Sequence, residues 1–287
     1  MSTSLWHEVA DRVFQRRYQP FDVSVCAIVG TDGIAVVDTR CSPEEARELR
    51  EHLRGLSPAP VRWVVNTHVH FDHVGGNAEF VAPRQLPPAE LWGHRAMAAA
   101  LAAGQDDPEG YLTVPLSPVV PDHLVDRVGV LDLGDRLVRL VHPGRGHTDG
   151  DLLVHVPDAD ALLAGDLVEE SGPPALGPDS FPLDWPDTLE RLLDVVGSGT
   201  VVVPGHGGPV DAAFVRGQRD DLAAVAGRIR ALHAAGVPAG EALAAGGWPY
   251  PASDLEHAVT HAYAALDGPV RGGGPPPRSG GSARIDR

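Results

Sequence analysis

The run Thr67-His68-Val69-His70-Phe71-Asp72-His73-Val74-Gly75-Gly76 packs three imidazoles and a carboxylate into six positions, 68 to 73. Neutral imidazole and carboxylate are the donors that zinc and its first-row neighbours prefer. A lone histidine is usually a surface or core residue, but His-x-His-x-Asp-His is dense enough to read as a metal-binding loop. The chemistry open to such a loop is hydrolysis by a water that a bound cation has made acidic, with no serine or cysteine nucleophile required. Lysine chemistry is excluded outright, because all 23 basic residues other than histidine are arginine.

The elements around this loop explain how it could focus its side chains. Val61–Asn66 is an apolar run too short for a helix and reads as a buried strand. Side chains in a loop at a strand's C-terminal end escape strand alternation and can turn onto one point. Gly75 and Gly76 let the backbone leave at close approach and open a helix. Upstream, Val23–Val29 and Ile34–Asp38 flank Thr31-Asp32-Gly33, the pattern of a hairpin. A helix from Pro43 to about Arg54 follows, with Ser42 as cap and Glu44 and Glu45 at its positive end. The stretch from Pro83 to Pro121 is less regular and holds an alanine-rich helix near His94–Ala103.

Strands return at Leu137–His142, Leu152–Val156 and Ala161–Ala164. A helix over Trp185–Val196 takes Asp184 as cap, and Thr200–Val203 is a further buried strand. Two packed β-layers with helices outside account for this order.

Three more motifs occur downstream: Gly146-His147-Thr148-Asp149-Gly150, Gly165-Asp166 after a strand, and Pro204-Gly205-His206 after a strand. With the His-rich loop, they resemble in order and approximate spacing the metallo-β-lactamase-fold hydrolases, over about residues 20 to 210. The resemblance implies an α/β fold, a four-layer αβ/βα sandwich, here with C-terminal helices. It implies a dinuclear site: His68, His70 and His147 on one divalent metal ion, Asp72, His73 and His206 on the other, and Asp166 bridging them. Zinc is the expected ion at both places, with iron and manganese as the other candidates. An aspartate at 166 is similar to the thioesterase and lactonase branches, glyoxalase II included, whereas secreted zinc β-lactamases carry cysteine or serine there.

The implied function is hydrolysis of an ester, thioester or lactone in a small molecule by a hydroxide shared between the metals, which lie about 3.5–4 Å apart in such sites. Asp72 is the catalytic candidate, orienting the nucleophile or carrying its proton if one of its oxygens is free. The alternatives are a mono-iron sulfur dioxygenase of the same fold and a β-lactam hydrolase. Glutathione recognition of the glyoxalase II kind has no counterpart motif among Arg216, Arg219, Arg228 and Arg230.

Several residues carry two readings. His142 competes with His147 as ligand, and the Gly-His-Thr-Asp-Gly context favours His147. Asp38 either braces the His-rich loop or is a polar residue leading into the helix. Asn66 and Thr67 either orient metal-bound imidazoles or satisfy turn backbone. Glu169, Glu170, Phe181, Trp185 and Trp92 are pocket candidates, because residues 169–184 form a Pro/Gly-rich loop after Asp166. His7, His52, His94, His123, His155, His233, His257 and His261 lack partner spacing and default to surface or core roles.

Composition bounds the rest. The formal charge of −16 argues against sequence-independent nucleic-acid binding. Cys26 and Cys41 are too few for a disulfide framework and suit a reducing compartment. The first 22 residues lack the apolar core of a secretory signal, and no run reaches the ~20 apolar residues of a membrane helix. The expectation is a soluble cytoplasmic protein that meets a small-molecule substrate, with no nucleic-acid or membrane partner and a homodimer as the assembly to test. The predicted organisation is a catalytic domain over 1–210, a helical extension over 211–267 packed on it, and a disordered tail over 268–287, whose Gly, Pro, Ser and Arg cannot bury apolar surface.

Overall fold

The structure is a computed structural model that describes residues 5–81, 87–112 and 119–268. The predicted tail, apart from Gly268, lies outside the described residues. In chain order the principal elements are β1 (His7–Ala10), β2 (Val13–Tyr18), β3 (Val23–Val29), β4 (Ile34–Val37), α1 (Pro43–Leu56), β5 (Val61–Val65), α2 (Phe71–Val74), β6 (Glu90–His94), α3 (Arg95–Ala102), β7 (His123–Val125), β8 (Val128–Asp132), β9 (Leu137–Val141), β10 (Leu153–Val156), β11 (Ala161–Glu169), α4 (Trp185–Leu193), β12 (Val201–His206), α5 (Ala212–Ala234), α6 (Ala239–Ala242) and α7 (Glu256–Asp267).

Hydrogen bonds link the strands in the order β7-β6-β5-β4-β3-β12-β11-β10-β9-β8, with β2 also on β3 and β1 on β2. The two halves of this path meet through a single pair, His206 with Val23. They face each other across a shared apolar core in which Ile28, Val37 and Val65 of one half pack with Leu140, Val154 and Leu163 of the other. Helices cover both outer faces. α1 lays Ala46, Leu49 and Leu53 against Val25, Val36 and Val64. On the far side α4, α5 and α7 pack Leu189, Leu222, Ile229 and Val259 onto Leu153 and Leu162. The result is the expected four-layer sandwich with its C-terminal helices.

Local chemistry accounts for the element ends. Ser42 Oγ accepts the Glu45 N–H at 3.2 Å, and Pro43 takes the first turn of α1; such a cap stabilises a helix by about 1 kcal/mol. α5 buries Val215, Leu222, Val225, Ile229 and Leu232 along one stripe of a 23-residue helix. Among the described residues no helix is long and apolar enough to cross a membrane.

The structure departs from the sequence reading in several places. β1 and β2 were not expected, because Gln15, Arg16 and Arg17 interrupt the apolar alternation of β2. Gln15 is nonetheless buried, its amide donating to Ser24 Oγ at 2.8 Å and Gly207 O at 2.9 Å. β6 emerges from the region read as irregular, and β7 and β8 follow it where no strand was expected; β8 leaves Val128 and Val130 exposed, so it lacks the signature of a buried strand. β11 runs on to Glu169, so Gly165-Asp166 lies inside the strand. Asp184 makes no capping hydrogen bond to α4; its carboxylate pairs with Arg145 instead. After Gly76 the chain makes only one 3-10 turn, Asn77–Glu79, not a full helix.

Candidate metal centre

The site forms where parallel strands end together. β4 pairs in parallel with β5 and β11 with β12, so Asp38, the His-rich loop and His206 follow or finish neighbouring strands at one rim of the sandwich. Asp166 joins them because the β11–β12 register shifts on both sides of Gly165, which sits at a φ of 54°. That left-handed conformation favours glycine. Gly205 on β12 leaves room for the carboxylate, since a Cβ there would overlap Asp166 Oδ1. Gly75 and Gly76 allow a similar close approach to the backbone of Cys41 and Thr39.

All seven predicted ligands converge. His68, His70, His147 and Asp166 form one group, and Asp72, His73 and His206 a second, the donor atoms within each lying within 4.8 Å of one another. Asp166 reaches both groups. Its Oδ2 lies 3.6 Å from His68 Nε2, 3.5 Å from His147 Nε2 and 3.3 Å from His206 Nε2, and its Oδ1 lies 3.2 Å from His73 Nε2. Asp72 Oδ2 is 3.4 Å from His206 Nε2, and no hydrogen bond engages Asp72 Oδ1 among the described residues.

Each histidine has its other ring nitrogen occupied. The Thr67 hydroxyl donates to Asp38 at 2.7 Å, so its oxygen accepts from His68 Nδ1 at 3.0 Å. His73 Nδ1 donates to Asp38 Oδ2 at 2.8 Å and His70 Nε2 to Asp179 Oδ2 at 3.0 Å. His147 Nδ1 donates to Ala175 O at 3.0 Å and His206 Nδ1 to Phe21 O at 2.7 Å. These acceptors orient five rings so that the remaining nitrogens carry lone pairs pointing inward. Two of those nitrogens, on His147 and His70, face each other at 2.8 Å. His68 Nε2 and Asp166 Oδ1 are buried without any hydrogen-bond partner. Buried polar atoms are normally satisfied, so this donor set fits cations and little else.

The charges tell the same story. Burial, then the neighbouring His73, holds His68 well below the usual histidine range; burial and His70 bring His147 down to about 4. Burial opposes ionisation of Asp166, yet His73, His206 and His68 outweigh it and keep the carboxyl well below its ordinary value. Burial likewise opposes a charge on His206, but Asp166 pushes that imidazole up to about 10. Without a cation, the buried carboxylate draws protons onto its neighbours.

The weaker candidates separate cleanly. Asp38 does brace the loop, accepting from the Thr67 N–H, the Thr67 hydroxyl and His73. Asn66 holds backbone and neighbour together, its amide donating to His73 O and to Asn77 Oδ1 at 3.1 Å each. His142 is no ligand: it stacks on His94 at 4.0 Å and donates to Asp151 O at 2.9 Å. Trp185 is a fully buried core residue, whose indole donates to Leu167 O, and Trp92 stacks on His123. Phe181 lies under the Arg145 guanidinium, and Glu170 accepts from the Gly208 N–H. Glu169 does reach the centre, its carboxyl close to Asp166 and His206. Burial and then Asp166 push it up to about 7.

Asp179 and Asp151 were missed. Asp179 sits in the 171–180 loop with no spacing relation to His70. Asp151 accepts from the Thr148 N–H and hydroxyl and so shapes the turn that carries His147; its place four residues beyond His147 was the available signal.

The centre opens into a cavity of about 290 Å³, lined by Phe21, Phe71 and Tyr111 and by residues of the 171–179 loop.

Comparison with known proteins agrees with this geometry. The chain is 29% identical over 177 residues to a type 2 metallo-beta-lactamase of Bacillus cereus, an alignment covering 61% of this chain and 63% of the relative. It is 32% identical over 173 residues to the acyl-coenzyme A thioesterase MBLAC2 of Gallus gallus, covering 53% and 58%. The chain thus spans about six tenths of the length of these relatives. Among solved structures, a metallo-beta-lactamase from Pontibacter korlensis superposes with a TM-score of 0.64 at 22% identity, covering 76% of this chain and 98% of that one. A family model, the Metallo-beta-lactamase superfamily, matches residues 18–206. The chain belongs to the metallo-beta-lactamase superfamily.

Proposed function

We propose that this protein hydrolyses an ester, thioester or lactone bond in a small molecule, using two divalent cations, zinc by donor preference. The observation that carries the reading is the set of five inward-facing imidazole nitrogens, each oriented from behind, around a carboxylate that touches both groups. His68, His70 and His147 would hold one ion, Asp72, His73 and His206 the other, and Asp166 both. Bound there, such ions supply Lewis acidity and a water acidic enough to be hydroxide near neutral pH.

The protein's own groups do the rest. Asp38 and Asp179 keep the rings aimed, so little reorganisation is needed during reaction. Asp72 Oδ1 is free to accept a proton from the nucleophile and pass it to the departing group. The aromatic wall offers an apolar face to an acyl group beside Asp72. The thioesterase relative favours an acyl substrate, and an aspartate at 166 supports this branch over β-lactam cleavage.

The test is metal quantification on purified protein, together with a panel of ester, thioester, lactone, phosphodiester and β-lactam substrates. His70→Ala and Asp166→Ala are expected to lose both metal and turnover while remaining folded by circular dichroism. Full turnover in either variant overturns the reading, as does a single iron per chain with substrate-dependent oxygen uptake.

A further inference from the structure

The cavity over the centre carries information about what it admits, and we propose that it takes uncharged or cationic acyl compounds with an apolar group and turns away anionic ones. This deepens the hydrolase reading and rests on it for the reaction, though not for the binding preference.

One wall is aromatic. Phe21 and Phe71 meet edge to face at 5.5 Å, and Tyr111 lies 6.5 Å from Phe21 and 6.1 Å from Phe71. Phe21 is 40% exposed and Tyr111 63% exposed, so the wall continues out to the mouth as apolar surface open to solvent. Ring faces of this kind bury alkyl and aryl groups and attract cations through their quadrupoles.

Acidic side chains crowd the same space. Six carboxylates reach the cavity, of which Asp72 and Asp166 belong to the ligand set. Asp179 is engaged by the His70 Nε2–H at 3.0 Å. Asp107, Glu109 and Glu169 remain, and the cavity wall includes no arginine among the described residues. Asp107 is held in place by the Tyr111 and Leu112 N–H groups, at 2.8 and 2.6 Å. Glu109 reaches toward the 171–179 loop, where a Cβ on Gly177 would stand 3.1 Å from its Oε1. The loop bearing these acids is tied to the centre, because the Phe71 N–H donates to Asp106 O at 2.8 Å.

An incoming molecule therefore finds the imidazoles of His70, His147 and His206 at the base. Higher up it meets aromatic faces, with fixed negative charge at the rim. A carbonyl and an apolar group fit that sequence. A distal carboxylate or a phosphorylated carrier would meet Glu109 and Asp107 beside the exposed Tyr111, on a chain of net charge −16.

Benzohydroxamates bearing tert-butyl, trimethylammonium or carboxylate at the para position provide the test, because they are metal-directed ligands of similar shape and different charge. Calorimetric titration of the protein carrying its purified metal is expected to show the first two binding about tenfold or more tighter than the carboxylate. Glu109→Arg is expected to close that gap, with Glu109→Gln as the milder variant if the arginine form does not fold. In the matching aryl esters the preference should appear in KM and leave kcat little changed. Equal or tighter binding of the carboxylate overturns the proposal, and so does a gap untouched by either folded Glu109 variant. The two readings fail separately. Esters cleaved without charge preference sink this one and leave the hydrolase, whereas the ordered binding series without any turnover sinks the hydrolase and leaves the charge filter.

Discussion

Asp38 Oδ2 lies 2.8 Å from His73 Nδ1 and 2.7 Å from the Thr67 hydroxyl, so one buried carboxylate at the end of β4 orients two histidines of the loop after β5. It holds His73 directly and His68 through Thr67. Asp38 itself has a φ of 65°, a conformation that aspartate tolerates better than most residues. Removing the carboxylate should loosen both rings. Asp38→Ala is expected to weaken metal binding by about 10–100-fold and, by stranding the Thr67 N–H, to cost about 1–3 kcal/mol of stability. Chelator competition and urea unfolding measure the two effects. Wild-type metal affinity in a folded Asp38→Ala protein contradicts the bracing role.

Asp179 should act only through His70. Asp179→Ala is expected to lower metal affinity about tenfold or more, since the His70 ring loses the acceptor for its Nε2 proton. His142→Ala is the control, being stacked on His94 away from the centre, and should keep the full metal content. Metal analysis by mass spectrometry reads both. A full complement in the first variant or a depleted one in the second reverses the assignment.

Gly205→Ala adds one methyl group where Asp166 Oδ1 now sits. The carboxylate lies deep in the rim between two strands and cannot swing aside without leaving the imidazoles. Loss of metal with retained secondary structure is expected, and a metal-replete, active Gly205→Ala enzyme would show that Asp166 is not needed where it stands.

Asp151 gives a pH signature. Burial pushes its carboxyl up to about 8, against the Thr148 N–H and hydroxyl that favour the ion. The folded chain then keeps a proton that the unfolded chain releases at about 4. Stability from this group is full below the unfolded value and is lost as pH rises through about 8. In metal-stripped protein the wild type should lose up to about 1.4 kcal/mol per pH unit relative to Asp151→Asn between pH 5 and 8. Urea unfolding at the two pH values checks this. A constant gap means that the carboxyl is already ionised at the lower pH.

The residue types of the candidate ligands and their order are legible in the chain's primary structure. Close spacing in His68–His73 is local information, and the short motifs around His147, Asp166 and His206 each follow a recognisable strand or turn. Apolar periodicity also marked the strands whose two faces are buried and the helix capped by Ser42. Tertiary structure alone decided the rest. β2 and β8 escaped notice because Gln15 is buried only by virtue of Ser24 and Gly207, and because Val128 and Val130 face solvent at an edge. The Gly146–Gly150 context already favoured His147 over His142, and the fold leaves His142 stacked on His94. Asp179 pairs with His70 across 109 positions, and Glu109 comes beside Gly177 of the 171–179 loop. Such contacts have no period and no fixed spacing, so they become visible only once the strands have brought their ends together.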